Sequence, residues 1–143
     1  MKMKSCIRTI AFITAALQTA FLLTGCYQTR EKEYYSNKEN YITEEAVVDN
    51  IIFDKKNKSI YFWLSGINES YQDSTFKIEG ESVDIIIEND NFNNVIPGST
   101  ITYSSAPRYF GDGYCMPIVG ICYDDVVLLP FEVGYENLMK MYE

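Results

Sequence analysis

The alternation of apolar and polar residues after position 40 is typical of β-strands. Ala46–Phe53 is rich in Val and Ile, and Ser59–Leu64 alternates strictly, with the polar stretch Asp54–Lys58 between them. Period-two alternation places one side of a strand in a core, so the pattern predicts a hairpin. The residues predicted to face inward on its second strand are Ile60, Phe62 and Leu64.

Four further segments have strand character. Thr75–Ile78 and Thr100–Ser104 are short alternating runs. Met116–Cys122 and Val126–Phe131 are joined by Asp124–Asp125, and because aspartates are favoured in tight turns, we expect a second hairpin there. The chain after residue 40 is therefore predicted to contain five to six strands.

One segment between the third and fourth strands has helical spacing. Residues near 81–90 place Val83, Ile86 and Ile87 on one face, and Ser82 is a residue type that caps helix N-termini. An isoleucine triplet also has high β propensity, so a strand over the same residues is the alternative. The spacing favours a short helix.

A second helix is predicted near 134–142. Its apolar residues recur at i, i+3, i+4 and i+7 and form one stripe that can pack on the strands. These residues are Tyr135, Leu138, Met139 and Tyr142. The predicted order is three strands, a helix, and two or three further strands. This is the element order of the OB-fold, a five-stranded Greek-key barrel, and the chain resembles that fold in element order alone. We expect a β-rich domain, all-β or α+β, built as a small barrel of five to six strands.

The N-terminal segment differs in composition from the rest of the chain. Lys2, Lys4 and Arg8 precede the uncharged stretch Thr9–Leu23, which leads into Leu23-Thr24-Gly25-Cys26. This motif resembles the lipobox of bacterial lipoproteins. The resemblance implies export, attachment of a diacylglycerol to the cysteine sulfur, and cleavage just before that cysteine. An uncleaved membrane helix is the alternative, although the apolar stretch is shorter than the roughly 20 residues that span a bilayer.

The lipobox divides the chain into three parts. It implies a lipoprotein signal peptide over 1–25, with Cys26 lipidated and the protein held on the membrane outside the cytoplasm. Residues 26–40 are polar, charge-mixed and without periodicity, which predicts a flexible tether. Residues 41–143 are then expected to form a single β-rich globular domain, since about 100 residues suffice for one hydrophobic core.

The charge of the chain excludes one class of partner. The full sequence has 12 basic and 20 acidic residues, and all of the acidic residues follow Cys26. Removal of Lys2, Lys4 and Arg8 with the signal leaves 9 basic against 20 acidic residues, a net charge of −11. Nucleic acids are bound through clustered basic residues, so we expect no nucleic-acid partner.

The residue types also limit the chemistry. The chain contains no histidine, which removes the commonest general base and the commonest transition-metal ligand. We expect no catalytic residues, no metal and no cofactor. Cys115 and Cys122 are expected on one strand about 23 Å apart, and since a disulfide needs Cα atoms within about 7 Å, we predict two free, mostly buried thiols. A turn at Pro117 or Gly120 would instead let them pair.

The segment 108–114 is the part of the chain best equipped for recognition. It combines one cation, three aromatic rings, a carboxylate and two glycines, and Tyr and Arg are enriched at binding hot spots. The alternative is that its rings pack into the end of the barrel. The lysine-rich turn Lys55–Lys58 and two outward-pointing rings of the second strand are predicted to lie on the same surface. The candidate ligand-binding residues are Tyr61, Trp63, Arg108, Tyr109, Phe110, Asp112 and Tyr114.

Three functions are compatible with these features. The first is a non-enzymatic module that binds a glycan or a peptide through its aromatic rings. The second is a structural or accessory subunit that docks on another envelope protein through the barrel edge or the C-terminal helix. The third is a carboxylate-dependent hydrolase, which needs two carboxylates about 5–10 Å apart in a cleft. We favour the first, because no pair of carboxylates is placed for catalysis in the sequence.

Overall fold

Six β-strands dominate the secondary structure of the described part of the chain. The computed structural model describes residues 28–107 and 115–143. The strands are β1 (Ile42–Asp54), β2 (Ser59–Ser65), β3 (Thr75–Glu79), β4 (Thr100–Ser105), β5 (Cys115–Tyr123) and β6 (Val126–Leu129). The helices are α1, described over residues 28–36, α2 (Glu81–Ile87) and α3 (Phe131–Lys140). All of these strands belong to the compact unit Tyr35–Glu143, whereas residues 28–34 belong to a separate unit.

Five strands close into a barrel. β1 pairs antiparallel with β2 and β4, β2 pairs with β3, and β4 pairs with β5. The barrel is closed by a parallel pairing of β3 with β5, in which Thr75 lies opposite Cys115 and Lys77 opposite Pro117. β6 continues the sheet beyond β5. The predicted small β-barrel is confirmed, and α2 lies between β3 and β4 in the element order expected of an OB-like barrel.

The inside of the barrel is lined by alternate residues of each strand. Ile60 and Phe62 of β2 are completely buried and Leu64 nearly so, as the alternation predicted. β3 contributes Phe76 and Ile78 in the same way. Full burial of such side chains stabilises the fold by about 1.5–3 kcal/mol each, so this inward row accounts for the position of the core.

The segment after Gly80 is a helix, so the alternative strand is wrong. Val83 and Ile86 are completely buried, but Ile87 is 45% exposed. The helix ends at that residue, and Ile85 packs against the core in its place. The predicted cap is also wrong, because Gly80 with φ +66° precedes the helix and no side chain caps it. Ser82 is buried inside the first turn instead.

The two hairpins follow the turn chemistry of their sequences. Asp124 and Asp125 have φ of 50° and 63°, the left-handed conformation that a two-residue turn between twisted strands requires. In the first hairpin, Asp54 accepts bonds from the backbone N–H and side-chain amide of Asn57, at 3.1 and 2.7 Å. These hydrogen bonds hold the pKa of Asp54 below its usual value. Both connections therefore lie where the sequence predicted them.

The register of β1 shifts between Val48 and Asn50. Before the shift β1 pairs with β4 as far as Val47, and after it β1 continues along β2 as far as Asp54. At the shift the N–H of Gly98 donates to the carbonyl of Val48 at 2.7 Å. A bulge of this kind bends a strand, which lets one 13-residue strand contribute to two sides of the barrel.

The segment 26–40 contains more regular structure than a flexible tether. Residues 28–36 are helical and Lys38–Asn40 forms a 3-10 turn, while residues 26 and 27 lie outside the described part of the chain. Tyr35 is only 4% exposed. Its packing partners are far away in sequence, at the other end of the chain, so no local periodicity could indicate them.

α3 packs directly on the backbone of β5. A Cβ placed on Gly134 would lie 1.9 Å from the carbonyl oxygen of Val119, so only glycine allows this approach. The helix begins at Phe131, three residues before the predicted start, and Leu138 of the predicted stripe is buried. Among the described residues, no helix has the length and apolar character needed to cross a membrane.

Candidate binding face

Two aromatic side chains of β2 lie on the outer surface of the barrel. Tyr61 and Trp63 alternate with the buried inward residues and are themselves half-buried. Tyr61 lies opposite Lys77 on β3, and Trp63 lies opposite Thr75. Residues i and i+2 of a strand share a face about 7 Å apart, so the two rings stand side by side. Both residues therefore have the outward position predicted from the sequence.

β1 provides the other flank of this surface. Ile52 lies opposite Tyr61 and is 48% exposed, and Asn50 lies opposite Trp63. Cross-strand neighbours have Cβ atoms about 4.5–5.5 Å apart, close enough for side chains to contact one another. We call this surface, formed by Asn50, Ile52, Tyr61, Trp63, Thr75 and Lys77, the outer aromatic face.

The charge at the edge of the outer aromatic face is neutralised locally. Lys77 forms an ion pair with Glu79 at 2.5 Å, and about a quarter of each side chain is exposed. Burial lowers the pKa of Lys77, but the hydrogen bond and the charge of Glu79 more than offset this, so the pKa is raised. The lysine is therefore protonated at neutral pH and paired, which leaves this part of an acidic domain without net charge.

Cys115 borders the same surface, opposite Thr75. Burial raises the pKa of its thiol, the charge of Lys77 lowers it, and that of Glu79 raises it further, with a net upward shift. A protonated thiol is a poor nucleophile, so this cysteine has the properties of a packed residue. Cys115 and Cys122 are both free and lie at the two ends of β5, as predicted, although each is half-buried rather than fully buried.

The strand that carries both rings of the outer aromatic face, β2, has no free hydrogen-bonding edge. β2 is paired with β1 and β3, and β3 is paired with β2 and β5. A peptide that joins a sheet as an extra strand needs unpaired backbone groups. A ligand over the two rings must therefore be held by side chains.

The lysine-rich turn and the segment 108–114 are attached at opposite ends of this face. Ser59, next to the turn, lies opposite Glu79 at the end of β3, whereas Cys115 follows the segment and lies opposite Thr75 at its start. Lys58 forms an ion pair with Asp84 of α2 at 2.5 Å. Lys55 and Lys56 are exposed. The predicted ligand contacts that lie outside the described residues are Arg108, Tyr109, Phe110, Asp112 and Tyr114.

A carboxylate–tyrosine cluster at the end of the barrel was not predicted. The hydroxyl of Tyr71 donates to both carboxylate oxygens of Glu44 at 3.1 Å, and the hydroxyl of Tyr103 donates to one of them at 3.4 Å. Burial, followed by the hydrogen bond and charge of Glu44, raises the pKa of Tyr71 to about 12. Burial and the same carboxylate also raise the pKa of Tyr103.

The sequence contained a signal for this cluster. Glu44 lies on the same side of β1 as the buried residues Ala46 and Val48, because every second residue of a strand shares a side. Its carboxylate is therefore at an inward position of the barrel. Such a group needs hydrogen-bond donors. The ring of Tyr71 packs edge-on against Phe76 at 6.4 Å, which fastens the loop before β3 to the barrel. The cluster is therefore a structural connection between loop and barrel.

Neither metal-ligand clustering nor similarity to other proteins assigns a chemistry to the chain. Within residues 28–107 and 115–143, no group of three or more Cys, Asp or Glu side chains is arranged to hold a metal ion. The chain matches no family model, and no curated protein or solved structure is significantly similar to it.

Proposed function

We propose that the chain is a membrane-tethered extracytoplasmic lipoprotein whose barrel is a non-enzymatic binding module. The anchor is supported by the resemblance of Leu23-Thr24-Gly25-Cys26 to a lipobox. Two acyl chains on one glycerol meet the requirement for stable attachment, whereas a single chain binds a membrane reversibly. The barrel is then the part that meets the ligand.

The outer aromatic face is the proposed ligand site, and a neutral saccharide is the proposed ligand. The observation that carries this is the pair of adjacent rings, Tyr61 and Trp63, on β2, a strand that is hydrogen-bonded at both edges. Aromatic rings bind the apolar C–H faces of sugars, because their large flat surface is buried at low entropic cost. Asn50 and Thr75 beside the rings can bond sugar hydroxyls, and the Lys77–Glu79 pair adds no net charge.

The test is titration of the lipidated protein in detergent with neutral oligosaccharides of two to six units. Trp63 is the single tryptophan of the chain and reports binding by its own fluorescence. We expect Trp63→Ala and Tyr61→Ala each to weaken binding about tenfold or more, as for aromatic hot spots. Trp63→Phe should retain most of the affinity because it keeps a ring. Binding of Trp63→Ala and Trp63→Phe, which lack the tryptophan, is followed by calorimetry.

Ile96→Ala is the matched control. This residue is 59% exposed and lies outside the outer aromatic face, so its truncation removes apolar surface without touching the rings. Affinity should be unchanged. Saccharide binding that is insensitive to the loss of both rings, or absence of binding to every oligosaccharide, would contradict the proposed ligand site.

A second candidate function is that of an accessory subunit of an envelope complex. Among the described strands, β6 alone is paired on one side only, with β5, and its Val127 is 52% exposed. An open edge of this kind can accept a strand of a partner. Val127→Lys places a charge at that edge and should abolish such an interaction. Saccharide binding on the outer aromatic face should be unaffected by the same substitution.

A further inference from the structure

The beginning of the compact unit is fastened to α3 by aromatic rings. The ring of Tyr41 packs edge-on against Phe131 at 5.5 Å and against Tyr135 at 5.8 Å. Tyr35 is buried, and its ring lies 6.2 Å from that of Tyr142. We call the contacts that residues 35–41 make with α3 and with Tyr142, two residues after its end, the N-terminal clasp.

Polar contacts reinforce the N-terminal clasp. The Nζ of Lys38 lies 4.6 Å from the centre of the Tyr135 ring and 2.5 Å from the carboxylate of Glu132. The hydroxyl of Tyr135 donates to the carbonyl of Ser36 at 2.7 Å, and that of Tyr41 donates to the carbonyl of Tyr35 at 2.8 Å. The point at which the chain enters the domain is therefore fixed on α3.

The N-terminal clasp and the outer aromatic face lie on different sides of the barrel. α3 covers β5, because Gly134 is in contact with the backbone of Val119. From β5 the order around the barrel is β3 and then β2. Each strand of a closed five-stranded barrel occupies about 72° of its circumference, so two steps place β2 roughly 144° from α3. Tyr61 and Trp63 therefore point almost directly away from the helix.

The chain between the lipidated cysteine and the N-terminal clasp is short. Tyr35 follows Cys26 by nine residue steps (35 − 26). Fully extended they reach at most about 32 Å, and the helical residues among them rise only about 1.5 Å each. A unit of the size of Tyr35–Glu143 is about 34 Å across. The domain therefore cannot turn over freely on this connection.

We propose that the protein sits on its membrane with α3 and the N-terminal clasp toward the bilayer and the outer aromatic face directed away from it. This inference rests on the proposed lipid anchor, but not on the identity of the ligand. The connection sets the orientation, since both its attachment point and its length are fixed. The side chains proposed for binding are then presented to the medium outside the membrane.

Energy transfer from tryptophan to a dansyl group on a lipid head group tests the orientation. The processed, lipidated protein is placed in phosphatidylcholine vesicles, whose zero net charge neither attracts nor repels the acidic domain. The native protein reports from Trp63. The double variant Trp63→Phe/Glu136→Trp reports from the exposed surface of α3. We expect transfer from the helix position to be at least threefold more efficient than from Trp63.

Two further measurements keep the outcome unambiguous. Trp63→Phe/Val133→Trp is a second α3 reporter, at a position 36% exposed, and should give the same high transfer. Tyr41→Ala combined with Lys38→Ala loosens the N-terminal clasp and should reduce the difference between the two faces. Equal transfer from both faces of vesicle-bound protein would overturn the orientation alone. Protein that does not stay with the vesicles would overturn the anchor, and the orientation with it.

Discussion

The substitution Gly134→Ala brings two stability effects of opposite sign into competition. In the interior of an exposed helix, alanine is about 1 kcal/mol more favourable than glycine. At this position a Cβ would lie 1.9 Å from the carbonyl oxygen of Val119, although ordinary contacts begin near 3.4 Å. α3 would have to move outward by about 1.5 Å (3.4 − 1.9), because a backbone carbonyl cannot rotate out of the way as a side chain does.

The outward movement also strains contacts along the helix. The side chain of Asn137 donates to the hydroxyl of Ser82 at 3.2 Å, and both residues are buried. Overpacking costs about 1–3 kcal/mol, and a buried polar group left without its partner costs a further 1–3 kcal/mol. After subtraction of the helix-propensity gain of about 1 kcal/mol, the terms sum to about 1–5 kcal/mol, so we expect Gly134→Ala to lower the free energy of unfolding by about 3 kcal/mol, the centre of that range.

Urea denaturation followed by Trp63 fluorescence measures this change. The denaturation midpoint should fall at an unchanged slope, and the melting temperature should fall by roughly 12 °C, at about 4 °C for each kcal/mol. The control is Glu136→Ala, a substitution two residues after Gly134 but on the exposed side of the helix. It should change the free energy of unfolding by less than about 0.5 kcal/mol. Stabilisation of Gly134→Ala by about 1 kcal/mol would show that the helix does not contact β5 as described.

Three further predictions concern other parts of the chain. The raised pKa of Tyr71 means that the folded state favours the protonated hydroxyl, so its stabilisation is complete below pH 10 and is lost as the pH rises toward 12. Tyr71→Phe removes the bonds to Glu44 and should lower the free energy of unfolding by about 1–2 kcal/mol at neutral pH. It should also reduce the loss of stability between pH 10 and 12. If urea denaturation shows the same loss for the variant as for the native protein, the prediction is contradicted. Cys115 and Cys122 should both react with an alkylating reagent in the absence of reductant, since both thiols are free. Because the pKa of Cys115 is raised, its reaction should be slow at neutral pH, and a fast reaction would contradict the raised pKa. Cys26→Ser should abolish partition into detergent, and an intact N-terminus in the membrane fraction would argue against cleavage.

The strands were predictable from the sequence because their information is local. The inward row Ile60, Phe62 and Leu64 and the turn at Asp124–Asp125 can each be identified within a few residues of chain. The same parity argument placed Tyr61 and Trp63 on the outside. Successive side chains of a strand lie on opposite sides of the sheet, so a correctly assigned strand also predicts which residues lie on the outer surface of the barrel.

The parts that were missed depend on distant partners. Tyr35 is buried, and its ring packs near that of Tyr142, which follows α3 more than 100 residues later. The ion pair between Lys58 and Asp84 likewise depends on where α2 packs against the barrel. Glu44 was overlooked although its parity marked it as inward, because acids are usually solvent-exposed and the two tyrosine donors come from other segments.

The pairings that close the barrel have a consequence for how the chain folds. Ile42 of β1 pairs with Ser105, and Thr75 of β3 pairs with Cys115, so the ladders that complete the barrel join residues that are far apart in sequence. Folds dominated by such non-local contacts fold slowly, in milliseconds to seconds, because loop closure precedes the gain from the contacts. The hairpin of β1 and β2 is local in sequence and can form early. Its apolar row stays incompletely covered until β5 has been synthesised, because Met116, Ile118 and Ile121 belong to the same core. A chain that ends before β5 lacks both these side chains and the strand that closes the barrel.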